Sequence, residues 1–171
     1  MPVRTIVTAE APVLRQKAKR IKQFSQSLQA LIDDMFETLH AANGVGLAAP
    51  QVGVSLRAVV IEIPADDETG TPAQSYVLCN PEIVKSSGED TDDEGCLSLP
   101  GYVGEVTRAA VVTVKGFSPE GKPVRVKGEG LLARALQHEL DHLDGVLFID
   151  RLESLEKLRR VGEAEEEAPG S

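Results

Sequence analysis

Two histidines four residues apart, with a glutamate beside the first, are the part of this chain whose types and spacing best suit chemistry. They occur in the run Gln137-His138-Glu139-Leu140-Asp141-His142. An α-helix turns by about 100° per residue, so His138 and His142 lie about 40° apart around the axis and one turn apart along it. Both imidazoles can therefore bind one metal ion. Glu139 projects from the same side, where its carboxylate can take a proton from a water on that metal.

The residues around this motif predict an amphipathic helix. Its apolar arc is formed by Leu131, Leu132, Ala135, Leu136, Leu140 and Leu143, and its polar side by Arg134, Gln137, Asp141 and Asp144. Glu139 falls inside the arc, where a carboxylate without a partner is costly, and a metal-bound water is one such partner. The alternative is an ordinary helix with locally satisfied histidines, because so short a motif also occurs by chance.

A third metal ligand has to come from elsewhere in the chain. His40 is the only other histidine, and the two cysteines are Cys79 and Cys96. Cys96 follows Glu94 and Gly95 in a small, glycine-bounded segment that can present a thiolate from irregular backbone or a strand end. Cys79 lies in an apolar, strand-like run and is predicted to be a small buried hydrophobe. A disulfide between the two is not indicated, because no secretory signal points to an oxidising compartment.

The elements that position these residues follow from hydrophobic periodicity. The sequence predicts a helix at Ser25–His40, strands at Leu56–Ile63, Tyr76–Cys79 and Ala109–Val114, an exposed loop at Pro64–Pro72, a hairpin of 111–117 with 124–127, and then the motif helix. Local hairpins with helices before and after indicate an α+β fold, with antiparallel or mixed sheets packed around a central metal-binding helix. Residues 1–152 are expected to form one catalytic domain, followed by a helix end and an acidic, disordered tail at 153–171.

Charge and composition exclude some classes of function. The net charge is −9, and the four glutamates between 163 and 167 leave −5 for the rest of the chain. A basic nucleic-acid surface is therefore not expected. The N-terminus has no apolar signal core and no segment approaches membrane-spanning length, so the sequence predicts a cytoplasmic protein with no membrane contact.

Three separated segments resemble the peptide deformylase family, in the family's order. They are Gly44–Gly53 (GVGLAAPQVG), Glu94–Pro100 (EGCLSLP) and Gln137–His142 (QHELDH). The resemblance extends from about Thr8 to about Leu152. It implies a metal-dependent hydrolase that removes the N-formyl group from the initiator methionine of new polypeptides and releases formate.

The resemblance also assigns the residues of the site. Cys96, His138 and His142 would bind one divalent metal per chain, whose bound water attacks the formyl carbon with Glu139 as general base and then acid. The Leu97 backbone N–H and the Gln51 side-chain amide would stabilise the oxyanion. The substrate would contact Gly44, Val45, Gly46, Gly95 and Leu131, with backbone pairing near Val45 and Gly46 and an apolar methionine pocket that includes Val45 and Leu131. Some family members carry an arginine just after Pro100, where this chain reads Gly101-Tyr102-Val103.

Ligand softness allows several metals, and the resemblance favours Fe²⁺ over Zn²⁺, Ni²⁺ or Co²⁺, which could occupy the isolated protein. The expected partners are N-formyl-methionyl nascent peptides and, transiently, the ribosome, although the acidic tail does not suit docking through the C-terminus. A monomer is expected. Two other functions compete with this one: a His-Glu-x-x-His metallopeptidase, whose third ligand usually lies downstream, and a non-enzymatic metal module closed by Cys79 as fourth ligand.

Overall fold

The structure is a computed structural model that describes residues 3–161. Two α-helices and eight β-strands make up its regular structure. They are α1 (Gln26–Ala41), β1 (Gly46–Ala48), β2 (Ala58–Ile63), β3 (Gln74–Ser87), β4 (Asp90–Cys96), β5 (Leu99–Arg108), β6 (Val111–Phe117), β7 (Pro123–Glu129), α2 (Gly130–Leu143) and β8 (Arg159–Arg160). Short 3-10 helices occur at Pro12–Arg15, Ala49–Val52, Phe148–Arg151 and Leu155–Lys157.

The strands form two sheets in which all named neighbours are antiparallel. The larger sheet has the order β1-β2-β3-β6-β7, and the smaller has the order β4-β5-β8. Helix α2 packs against β1, β2, β6 and β7, so the motif helix lies on the larger sheet. The predicted α+β class, with sheets around a central helix, is confirmed. Among residues 3–161 no helix is long and apolar enough to cross a bilayer.

Helix α1 begins at a side-chain cap and covers a second core. The Ser25 hydroxyl accepts a hydrogen bond from the Leu28 backbone N–H at 3.4 Å, which satisfies one of the free N–H groups of the first turn. The buried residues Leu28, Ile32 and Met35 recur at helical spacing and pack with Cys79 of β3. The predicted helix at 25–40 is thus confirmed within one residue at each end, and Cys79 is buried as expected.

One hairpin and the chain after 152 differ from the predicted elements. The β4–β5 hairpin pairs Asp90 with Arg108 and Glu94 with Gly104. Acidic and glycine residues fill β4, so its composition gives no strand signal, and backbone pairing forms the hairpin instead. In place of the expected helix end, residues 153–161 contain a 3-10 turn and strand β8, which pairs with β5. The predicted disordered tail from Gly162 onward lies outside the described residues.

Gly145, just after α2, offers a test of how tightly the motif helix is held. Its φ is +77°, and a Cβ there would lie 2.8 Å from backbone atoms of Arg15. We expect Gly145→Ala to destabilise the protein by about 3 kcal/mol, because left-handed strain adds to a backbone clash. Gly53 has a similar φ of +83° with no heavy atom within 4 Å, so Gly53→Ala should cost only about 1 kcal/mol. Urea denaturation of both variants measures the difference, and equal losses would contradict the clash.

Candidate metal centre

Three side chains from two elements converge on one point. The sulfur of Cys96, at the end of β4, lies 3.4 Å from Nε2 of His142, and the Nε2 atoms of His138 and His142 are 3.1 Å apart. All three ligand atoms lie within 4.8 Å of one another, and all three residues are buried. A thiolate and two imidazoles that point at one another in a buried site are the donor set of a transition-metal centre.

His138 is oriented by a buried carboxylate. Its Nδ1 lies 2.5 Å from Oε2 of Glu94, so Nε2 is the ring atom turned toward Cys96 and His142. Glu94 also accepts hydrogen bonds from Arg108 at 2.5 and 3.1 Å and from Arg134 at 3.0 Å. Burial alone would raise the pKa of Glu94, but the hydrogen bonds from His138 and Arg108 outweigh burial and hold the pKa well below its usual value. Glu94 therefore stays ionised.

The ion pairs continue from Glu94 toward the surface. Arg108 donates to Oδ2 of Asp141 at 2.7 Å, and Arg151 donates to both oxygens of Asp141 at 2.8 and 3.0 Å. Asp141 is part of the motif on α2, whereas Arg108 ends β5 and Arg151 lies in a 3-10 helix after α2. This cluster of charges, hereafter the ionic cluster (Glu94, Arg108, Arg134, Asp141 and Arg151), joins the smaller sheet to the motif helix.

The burial of Arg134 differs from the prediction for this helix. The wheel placed it on the polar side of α2, but only 7% of Arg134 is exposed. Its guanidinium donates to Glu94, to the Val106 carbonyl at 3.0 Å and to the Asp90 carbonyl at 2.8 Å. Its side of α2 faces the β4–β5 hairpin rather than solvent. Because that hairpin supplies a buried carboxylate and backbone carbonyls, a charged residue is stable there.

Glu139 is fully buried without a hydrogen-bond partner. Neither of its carboxylate oxygens bonds to a described residue, and its exposed fraction is 0%. Burial raises the pKa of Glu139 to about 7, against the opposing charge of His138. A carboxylate with this pKa next to potential metal ligands is suited to exchange protons near neutral pH. An orphaned buried carboxylate next to the converging ligands also fits a metal-bound water as its missing partner.

Gly46 makes room for that carboxylate. A Cβ at Gly46 would lie 2.6 Å from Oε2 of Glu139, so a larger residue at this place in β1 would displace the Glu139 side chain. The second glycine of the Gly-Val-Gly segment therefore has a steric role that the sequence reasoning did not identify. Its buried position places the backbone of β1 directly against the motif helix.

Gln51 links the first motif to the second. Its Oε1 accepts from the Ala48 N–H at 2.9 Å, which fixes the amide orientation. Its Nε2 lies 3.2 Å from the Ser98 hydroxyl oxygen and 3.7 Å from the Cys96 sulfur. A buried amide donor thus points at the candidate ligand Cys96. Ser98 was not among the predicted site residues, and only its place in the Cys96 segment could have indicated it.

The predicted substrate residues lie in three parts of the structure: the segment Gly44–Gly46, strand β4 and the first turn of α2. Gly44 lies against the Leu97 side chain, since a Cβ on Gly44 would be 2.8 Å from a Leu97 methyl group, and Val45 packs on the core beside α2. Gly95 is buried in β4 opposite Val103. Leu131 stands apart on the first turn of α2, with 43% of its surface exposed, about two turns before His138. Contacts between described residues therefore join all three sequence segments.

Comparisons with known proteins agree with this geometry. A family model described as polypeptide deformylase matches residues 3–158. A peptide deformylase of Thermomicrobium roseum is 52% identical over 168 residues, covering 98% of this chain and 96% of its own length. A crystal structure of a peptide deformylase from Legionella pneumophila superposes with a TM-score of 0.84 at 50% identity, covering 91% of this chain and 89% of its own. One from Synechococcus elongatus, in complex with actinonin, has a TM-score of 0.84 at 39% identity, covering 92% and 82%.

Fold and site thus define a metal-dependent hydrolase. The chain belongs to the peptide deformylase family, whose members remove the N-formyl group from nascent polypeptides. The two competing classes fit less well. The candidate third ligand, Cys96, lies upstream of the motif. Within residues 3–161 the cluster of potential ligands contains Cys96, His138 and His142 without Cys79, which packs in the core beside α1.

Glu94→Gln tests the support of His138. An amide of nearly the same shape keeps one acceptor oxygen but removes the charge that the arginines and the His138 ring N–H contact. We expect metal affinity to fall by about 10- to 100-fold, measured by competition with a chelator. Glu82→Gln is the matched control, because Glu82 is exposed and forms an ion pair with Lys115 on the surface, away from the candidate ligands. Equal affinities for the two variants would show that Glu94 does not support the ligand.

Gly46→Ala tests the close approach of β1 to Glu139. The added methyl group must displace the Glu139 carboxylate, because the three atoms nearest to it all belong to Glu139 and none to a candidate ligand. We expect formate release to fall by about 100-fold with an unchanged metal content, because the proton acceptor is moved and the ligands are not. Metal analysis and activity on the same sample check this, and loss of the metal instead would contradict it.

Proposed function

We propose that this protein deformylates nascent peptides by the chemistry of Glu139 at a Cys96–His138–His142 metal centre. The observation that supports this most directly is the fully buried, unpartnered Glu139 carboxylate beside three converging ligand atoms. An uncompensated carboxylate in such a place is destabilising, so its presence is best explained by a function. Family membership supplies the reaction, and the local geometry supports the roles that we propose for the residues.

A divalent cation bound by Cys96, His138 and His142 supplies positive charge that lowers the pKa of water and polarises a carbonyl group. Glu139 accepts the proton released as water attacks the formyl carbon, and then donates it to the leaving amine. The Gln51 amide N–H and the Leu97 backbone N–H donate hydrogen bonds to the oxygen that gains negative charge. The bond from Ala48 to Gln51 keeps that amide pointed into the site.

The edge of the larger sheet offers a place for the peptide. Strand β1 pairs with β2 on one side and is the terminal strand of its sheet among the described residues. A peptide that adds to β1 near Val45 and Gly46 brings its N-terminus to Glu139, since Gly46 is in contact range of that carboxylate. The family resemblance is the basis on which we assign Gly44, Gly95 and Leu131 to peptide and methionine contacts.

The working metal is proposed to be Fe²⁺. One thiolate and two imidazoles suit iron, zinc, nickel and cobalt, and the family resemblance selects among them. Oxygen attacks an iron-bound thiolate, so aerobic isolation favours Zn²⁺. We further propose a cytoplasmic monomer that contacts the ribosome transiently, because its substrate is a chain still being made.

Formate release from a formyl-Met tripeptide tests the central proposal. Protein prepared without oxygen is loaded with Fe²⁺, Ni²⁺, Co²⁺ or Zn²⁺, in parallel with Glu139→Gln loaded in the same way. We expect metal-dependent release that falls by about 100-fold or more in the variant while the metal remains bound, because the proton acceptor is lost and the ligands are intact.

Other outcomes of this assay identify the alternatives. Cleavage of unformylated peptides by the loaded protein would favour a metallopeptidase. Stoichiometric metal without release from any substrate would favour a structural site, and loss of the metal in Cys79→Ala would support that reading. Cys96→Ser with unchanged metal content and activity would overturn the proposed ligand set.

A further inference from the structure

The cations of this acidic protein are unevenly distributed. No aspartate or glutamate occurs between Ala11 and Ile32, but five cations do: Arg15, Lys17, Lys19, Arg20 and Lys22. The net charge of −9 therefore hides a basic segment that the deformylation site does not use. Such segregation produces a local positive potential even in a negatively charged protein.

Folding gathers these cations with others around two grooves. A groove of about 840 Å³ runs between residues 19–23 and the start of α1, and a second of about 510 Å³ lies beside β6 and β7. Arg20 lines both grooves, so they adjoin. Their cations form what we call the basic band, defined as Lys19, Arg20, Lys22, Lys115 and Arg125.

Most of the band is not neutralised by the protein itself. Among residues 3–161, one ion pair within 4.0 Å involves a residue of the basic band: Lys115 pairs with Glu82 at 3.3 Å. Lys19, Arg20 and Lys22 are exposed. The first turn of α1, which lines the larger groove, contains no acidic residue, so the positive end of the helix dipole adds to the band.

The basic segment is held in place rather than loosely attached. The Lys19 N–H donates to the Ser55 carbonyl at 3.0 Å, and the Lys19 carbonyl accepts from the Arg57 backbone N–H at 2.9 Å. The Asn80 side chain bonds to both backbone groups of Ile21, at 2.8 and 3.0 Å. Fixed backbone on both sides of Arg20 pre-organises the cations, which lowers the entropic cost of binding an anionic partner.

We propose that the basic band binds the phosphate backbone of duplex RNA. A protein partner would need exposed apolar anchors. The apolar residues that line the larger groove are buried or half-buried: Ile21, Leu28, Leu31, Val54 and Leu56. The exposed large hydrophobic residues in the described part of the chain, such as Ile83 and Leu131, lie outside both grooves. Base stacking is not favoured either, because the aromatic ring that lines the grooves, Phe117, packs against Phe24 at 6.0 Å. Contact with a regular phosphate backbone is the remaining match for these charges.

The position of the band leaves the catalytic cleft open. The larger groove lies at the N-terminal end of α1, whereas the substrate segment Gly44–Gly46 follows its C-terminal end. Sixteen helical residues separate the two ends by about 24 Å. This inference rests on the proposed function for its purpose: RNA is abundant where nascent peptides emerge, so binding it would keep the enzyme near its substrate.

Fluorescence anisotropy with a labelled RNA duplex of about 20 base pairs tests the proposal on the full, metal-loaded chain at several salt concentrations. We expect the logarithm of the binding constant to fall with that of the salt concentration with a slope of about −3 or steeper. Lys19→Glu/Lys22→Glu should weaken binding by about tenfold and flatten the slope by about 2. The control Lys157→Glu/Arg160→Glu makes the same charge change on two exposed cations beside the smaller sheet, in the 3-10 helix Leu155–Lys157 and in β8, and should bind RNA like the unaltered chain.

Formate release measured on the same samples separates this inference from the proposed function. Normal release from all variants, with weaker RNA binding only in Lys19→Glu/Lys22→Glu, would support the band. No RNA binding at low salt, or equal loss in both double variants, would overturn it while leaving deformylation intact. Displacement of the RNA by polyglutamate at equal charge would also overturn it, because the band would then bind acidic polypeptide without preference for RNA.

Discussion

The buried carboxylate of Glu94 is the interaction on which the site depends. It receives two guanidinium groups and one imidazole inside the protein, where a single unpaired charge would cost several kcal/mol. These partners come from two elements: Arg108 belongs to β5, and Arg134 and His138 lie on consecutive turns of α2. Because Glu94 and both guanidinium groups are charged and all four partners are buried, losing one leaves the others uncompensated, so the arrangement has few alternatives.

That constraint explains how ligands from separate elements meet. Cys96 ends β4 in the smaller sheet, whereas His138 and His142 lie on a helix packed against the larger sheet. The ionic cluster connects the hairpin to the helix two residues before Cys96, so the position of the thiol relative to the histidines is set by protein contacts. The ligand geometry can thus be present before a metal binds, which reduces the reorganisation that binding requires.

Sequence patterns predicted the parts of this arrangement that depend on local spacing. Apolar periodicity was sufficient for α1 and α2, and three short motifs brought the candidate ligands, Gln51 and Glu139 into one hypothesis. Two features depend on tertiary partners, and the sequence patterns did not predict them. Arg134 is polar, so a helical wheel assigns it to solvent, but the wheel contains no information about the carboxylate that faces it. Strand β4 is acidic, and its pairing comes from backbone hydrogen bonds that composition does not reveal.

The charge distribution and the packing around Gly46 also depend on the tertiary structure. A net charge of −9 correctly describes the whole chain but not the basic band, whose cations come from residues 19–22, β6 and β7. Likewise, the Gly-Val-Gly segment reads as a helix end and a substrate contact, and only the packing of β1 on α2 shows that Gly46 must lack a side chain. A larger residue there would occupy the place of the Glu139 carboxylate, so the close packing of β1 on α2 constrains both Gly46 and the Glu139 side chain.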